Sequence, residues 1–229
     1  AISLVVPRDK EWFREQLEIT LGAANNDESY VRIIVTRGVG EINIDPSTCQ
    51  SPNIIIIVME IKEYPESCYE KGIHVALVSI KRNASDALNP NVKTGNYLNN
   101  VLAKVEANKL GAQDAIMVNA LGHLTEGTTS NLFFVREGHI LTPSLDCGIL
   151  SGITREMVIQ LARENGFHIE EGKWAGEELC EANEIFLTGT IKKVMPVSHL
   201  DARPVGSGKP GPVTLKLMRL YEDLIGRKL

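Results

Sequence analysis

The chain has 229 residues, 43% hydrophobic and 23% charged, with 24 basic against 29 acidic side chains and a net charge of −5. That length supports one large domain or two modest ones around a sizeable core, and the composition excludes fibrous and disordered classes. The mild acidity gives no reason to expect nucleic acid or an anionic membrane as partner, and the longest apolar run, Ile54–Met59, is too short to span a bilayer. Cysteines at 49, 68, 147 and 180 form no CxxC pair, and the histidines at 74, 123, 139, 168 and 199 are scattered. Reduced thiols in a cytoplasmic protein without a metal site are therefore expected.

In chain order, Asp9 is placed to cap a helix running to about Leu21, with Phe13, Leu17 and Leu21 on one face and a break at Gly22 and Asn25-Asn26-Asp27. Val31–Val35, Ile54–Ile61 and His74–Ile80 are β-branched runs that predict strands. Polar residues 81–90, ending in Asn-Pro, predict a linker, with domains over 1–85 and 86–229. Beyond it, Leu98, Val101, Leu102 and Val105 recur at helical spacing before Gly111. Strands are expected at Ala115–Asn119, Asn131–Val135 and His139–Leu141, the last two joined by a hairpin turn at Glu137-Gly138. A helix over Thr154–Asn165, short strands at Glu184–Leu187 and Val194–Val197, and a final helix carrying Met218, Tyr221 and Ile225 complete the chain. The mixture predicts an α/β (α+β) fold in two lobes with mixed sheets.

Four segments carry chemistry: NVKTGNYLNN at 91–100, LTEGTTSNLFFV at 124–135, GILSGITR at 148–155 and FLTGT at 186–190. Most lysines are solvated surface charges. Lys93, however, falls where an extended Asn-Pro-Asn segment enters a predicted helix among small polar neighbours. A helix N-terminus and partial desolvation both favour the neutral amine, the form that attacks a carbonyl to give a Schiff base. Tyr97 at i+4 is expected on the same helix face, and ordinary packing explains a tyrosine there equally well. Glu126 is placed in a loop between strands, where a solvated carboxylate is the default and a partner for a ring nitrogen is the functional alternative. The glycine-bearing turn into Ile153 and Thr154, with Thr188-Gly189-Thr190, offers amides and hydroxyls for a phosphate. Gly206-Ser-Gly208-Lys209 faintly suggests a phosphate loop, but the following Pro210-Gly211-Pro212 removes the hydroxyl residue and helix start it needs. Arg32 and Arg37 flank the strand VRIIVTRG as candidate carboxylate forks.

Taken together, YVRIIVTRGVG, VKTGNYLNNVLA, LTEGTTSNLFFV, GILSGITRE, FLTGTIKKVMPV and RPVGSGKPGP resemble, in order and spacing, the class IV (fold-type IV) pyridoxal-phosphate aminotransferases, above all their branched-chain amino-acid branch. The resemblance implies pyridoxal 5'-phosphate as cofactor and an amino acid and a 2-oxo acid as substrates. Lys93 would form the Schiff base and Tyr97 would meet the ring hydroxyl. Glu126 would pair with the ring nitrogen, and Ile153, Thr154 and Thr190 would hold the phosphate. Tyr30 and Arg32 fall where branched-chain enzymes line the substrate pocket, with Gly189 and Ile191 also against substrate. Arg37 falls nearer the carboxylate-binding arginine of D-amino-acid relatives. The family further implies at least a homodimer and a preceding stretch bearing a phosphate-clamping arginine. Residue 1 falls after that stretch, so the small domain is expected to be incomplete. D-amino-acid transamination, aminodeoxychorismate lyase activity and an inactive relative stand as alternatives.

Overall fold

The computed structural model describes residues 2–226; Ala1 and residues 227–229, the outermost positions of the two expected domains, lie outside them. Two compact units divide between Glu63 and Tyr64. In the first, helix α1 (Lys10–Ala24) is capped by Asp9, whose carboxylate accepts from the Trp12 amide at 2.9 Å. The helix passes through Gly22, beyond the expected end near Leu21, and stops at Asn25, the first residue of the expected Asn25-Asn26-Asp27 break, in the left-handed region (φ 51°). A glycine only weakens a helix, whereas an αL residue turns the chain out of it. Strands β1 (Ser29–Thr36) and β2 (Asn53–Glu60) then pair antiparallel without a register shift.

The second unit comprises α2 (Glu66–Lys71), β3 (Ile73–Leu77), α3 (Leu98–Lys109), β4 (Asp114–Val118), β5 (Leu124–Gly127), β6 (Asn131–Arg136), β7 (His139–Pro143), α4 (Ile153–Glu164), β8 (Ile169–Gly172), β9 (Glu184–Gly189), β10 (Lys193–Leu200), β11 (Arg203–Pro204) and α5 (Pro212–Leu224). Strand pairing runs β10–β3–β4–β5–β6–β9 and returns to β10, closing a ring of six strands, with β11 and β7–β8 as extensions. Closure gives each of these strands a partner on both sides. Because β3 lies parallel to both β4 and β10, residues 64–85 pack with the second unit, whereas the sequence placed them in the first.

Stacked Phe133 and Phe186 (centroids 4.9 Å apart) anchor the main core, to which α4 and α5 contribute Val158, Leu161, Leu217, Met218 and Tyr221. Each such buried side chain contributes about 1.5–3 kcal/mol. Helix α3 packs differently. It buries only Ala103 and Ala107, against Ala76, Ala115 and Met117 of β3 and β4. Its larger residues Leu98, Val101, Leu102 and Val105 are exposed. The hairpin turn at Glu137-Gly138 has both residues at positive φ (52° and 81°), the geometry that matches the twist of adjoining strands.

Candidate functional site

Three adjacent strands of the ring carry one row of residues: Glu126 on β5 faces Asn131 on β6, which faces Thr188 on β9. The expectation of a loop for Glu126 is thus corrected. LTEG is a short strand whose polar content hides it from a hydrophobicity pattern, and pairing with Asn131 supplies what periodicity lacks. Glu126 is 5% exposed. Arg82 grips its Oε1 through both Nε and a terminal nitrogen at 2.9 Å, and the Leu150 amide donates to Oε2 at 3.0 Å. Burial pushes the carboxyl above the usual range, while Arg82, the Leu150 amide and the charge of Lys93 pull the other way.

Lys93 is therefore near enough for its charge to act on Glu126, although it is not at a helix start. Residues 84–97 form successive turns, braced by Asn89 Oδ1 accepting from the Asn91 amide (3.0 Å) and Thr94 Oγ1 from the Asn96 amide (3.3 Å). Such side-chain turns compete with helix formation. The helix begins only at Leu98, with Tyr97 as its N-cap. Lys93 and Tyr97 thus share no helix face, and Lys93 is exposed where partial desolvation was expected.

The turn before α4 is bound to this assembly at three points. Leu150 donates to Glu126, its carbonyl accepts from Asn131 Nδ2 at 2.8 Å, and the Ser151 amide donates to Asn91 Oδ1 at 2.9 Å. Asn91 lies two residues before Lys93, so the lysine segment and the glycine turn are stitched together. A methyl group at Gly152 would sit 2.1 Å from Asn131 Oδ1, so only glycine fits this close approach. Gly152 is also the N-cap of α4 and supplies no side-chain acceptor, leaving the Ile153 and Thr154 amides without intrahelical partners. Helix α5 provides the contrast: the Glu184 carboxylate accepts from the Val213 and Thr214 amides at 3.1 and 2.8 Å and from the Thr214 hydroxyl at 2.7 Å. A carboxylate already occupies that helix start, and Gly211 is small because Glu184 lies against it. A helix does start at Pro212, where the prolines were expected to remove one, but Glu184 fills its N-terminus.

Thr190 is exposed in the turn Thr190–Lys192 between β9 and β10, with Gly189 and Ile191 half-buried beside it. Thr188 Oγ1, fully buried in the strand row, has no hydrogen-bond partner among the described residues. An amine within electrostatic reach of a buried carboxylate, an uncapped helix start and a hydroxyl-bearing turn are the complement that pyridoxal 5'-phosphate requires, so the residues fit the group.

Tyr30, Arg32 and Arg37 lie in the other unit. Tyr30 and Arg32 alternate on β1, opposite Met59 and Ile57. Arg37 follows the strand, and its guanidinium donates to the Ile2 and Ser3 carbonyls, which leaves it less available for a substrate carboxylate than a free fork. Sequence reasoning missed Arg82, Asn91 and Asn131. Arg82 sits in the segment read as a polar linker, while Asn91 and Asn131 lie within the NVKTGNYLNN and LTEGTTSNLFFV segments but were given no role there.

A family description, amino-transferase class IV, matches residues 1–200. A Methanocaldococcus jannaschii protein provisionally named a branched-chain-amino-acid aminotransferase is 38% identical over 98% of this chain and 77% of its own length. The crystal structure of the Escherichia coli branched-chain amino acid aminotransferase superposes with a TM-score of 0.92 at 30% identity, covering 96% of this chain and 73% of that one. The T.th. enzyme of the same name, solved with pyridoxamine 5'-phosphate, gives 0.91 at 32% identity over 97% and 74%. Among the described residues no helix is long and apolar enough to cross a membrane. With its strand row, its stitched turns and a match over most of its length, the chain belongs to the class IV aminotransferases, enzymes that work with pyridoxal phosphate.

Proposed function

We propose that this protein transaminates a branched-chain amino acid to its 2-oxo acid, with 2-oxoglutarate as the acceptor, in the cytoplasm. The observation that carries the reading is that Glu126 binds Arg82 and the Leu150 amide, while the next residue of that turn, Ser151, donates to Asn91, two residues before Lys93. The relatives' names supply the substrate class. Pyridoxal phosphate supplies an aldehyde for the substrate amine and a ring that takes up the electron pair left at the substrate carbon.

Lys93 would supply the amine that holds the cofactor's aldehyde, and once freed by substrate its nitrogen would take the proton from the substrate's α-carbon as general base. Glu126 would partner the ring nitrogen, with Arg82 opposing the upward push of burial on its carboxyl. Tyr97 would meet the ring hydroxyl, while the Ile153 and Thr154 amides, aided by the α4 dipole, would hold the phosphate with Thr190. Gly189 and Ile191 would face substrate, and the resemblance adds Tyr30 and Arg32 as candidates for substrate contact; Arg37, engaged by the Ile2 and Ser3 carbonyls, is the weakest candidate. Two copies associate, a reading supported by the exposed apolar stripe on α3.

Incubating the cofactor-loaded protein with leucine, isoleucine or valine and 2-oxoglutarate tests the reading. Glutamate should accumulate in step with the matching 2-oxo acid. Glutamate from D-amino acids alone, or pyruvate from aminodeoxychorismate with no glutamate, would replace it with another activity of the same family.

A further inference from the structure

Lys192 occupies a place unusual for a lysine. It is 6% exposed, and its Nζ lies 3.1 Å from Asp114 Oδ2, 3.1 Å from Thr129 Oγ1 and 5.7 Å from the centre of the Tyr64 ring. Asp114, 1% exposed, also accepts from the Ala115 amide (2.8 Å), the Thr128 amide (3.3 Å) and hydroxyl (2.5 Å), and the Ser130 hydroxyl (3.3 Å). An ion pair this buried is weak evidence for stability, because desolvating both charges offsets most of their attraction. What the pair does is geometric. It ties the start of β4 to the 128–130 turn, which follows directly on Glu126's strand, and both to the hairpin end bearing Thr190. The two turns already touch at Gly189, where a methyl group would lie 3.3 Å from the Thr129 carbonyl.

We propose that Lys192 is a positioning residue that fixes the Thr190 turn against the Glu126 strand and so sets the spacing between the phosphate grip and the ring-nitrogen partner. The inference rests on the reading of Thr190 as a phosphate ligand. Lys192 acts through the turn and contacts neither the reacting atoms nor the ring.

The discriminating experiment compares two ligands that differ only in the phosphate. Protein freed of cofactor is titrated with pyridoxal 5'-phosphate and with pyridoxal, following the absorbance of the bound aldehyde, and its melting is recorded in parallel. Lys192→Met should weaken pyridoxal 5'-phosphate about tenfold or more while leaving pyridoxal affinity unchanged, since a misplaced turn costs only the ligand that uses it. If that variant does not fold because Asp114 is stranded, the neutral double variant Asp114→Asn/Lys192→Met serves instead and should show the same phosphate-selective loss. Equal weakening of both ligands, or of neither, overturns the inference. Thr190→Val separates the two layers. A phosphate-selective loss there with none at Lys192 removes only the positioning role, whereas no selective loss at Thr190 removes the phosphate reading and this inference with it.

Discussion

Arg82 counters the upward push of burial on the Glu126 carboxyl. Burial alone raises a carboxyl toward neutrality, and a neutral acid cannot serve as the anionic partner of a ring nitrogen. Arg82 opposes this with two contacts at 2.9 Å from a side chain that is itself nearly buried. Replacing it by methionine should leave Glu126 with the Leu150 amide and the more distant Lys93 charge, and push its carboxyl further up. The acid limb of the kcat profile should move to higher pH, because a raised pKa extends the range over which the group is protonated. Stability should fall by about 3–5 kcal/mol, the cost of leaving one buried charge unpaired. Steady-state kinetics across pH check the first outcome and denaturant melts the second; an unmoved acid limb would mean that Glu126 does not control turnover.

The glycine turn before α4 and the helix itself act as a single fitted element. Gly152→Ala would force a methyl group onto Asn131, a short side chain held by Leu150 on a buried strand. A loss of about 1–3 kcal/mol is expected from the overpacking, together with weaker pyridoxal 5'-phosphate binding, read from denaturant melts and cofactor titration. At its other side, α4 is anchored to β8 by Arg155, which donates to Glu171 at 2.8 Å and to the Pro143 carbonyl at 2.9 Å. Burial raises the Glu171 carboxyl, but Arg155 and Arg163 outweigh it and hold it below the usual range. A depressed carboxyl stabilises the fold above its unfolded pKa, and the benefit is lost as pH falls through the folded value. Glu171→Gln should therefore destabilise by about 1–2 kcal/mol at neutral pH, discounted because Glu171 is partly exposed, and the gap should close below about pH 4. A gap independent of pH would assign the loss to packing. The elements that were legible in sequence, such as α4, β6 and the Glu137-Gly138 hairpin, are those with clear periodicity or a positive-φ turn pair. The ones that were not, β5 and the turns through 84–97, are specified by pairing and by side-chain bonds to distant residues, which no local pattern records.

For the molecule as a whole, the closed strand ring is what brings Glu126, Asn131 and Thr188 into one row. Sequence pointed to the residues of the candidate site because their motifs are contiguous, but the ring and the division at Glu63 depend on partners far along the chain. Helix α3 gives the ring a distinct outer surface, with Leu98, Val101, Leu102 and Val105 exposed at helical spacing. Leu102→Glu together with Val105→Glu should shift the protein toward monomer in sedimentation while leaving the secondary structure intact, since the helix holds to the sheet through Ala103 and Ala107. An unchanged sedimentation coefficient would place the contact between copies elsewhere. The claim under all of this is a bond between Lys93 and an aldehyde, and borohydride reduction of the cofactor-loaded protein followed by peptide mapping reads that bond. The label should sit on the peptide carrying Lys93 and vanish in Lys93→Ala; a label on another lysine, or none at all, would contradict the account.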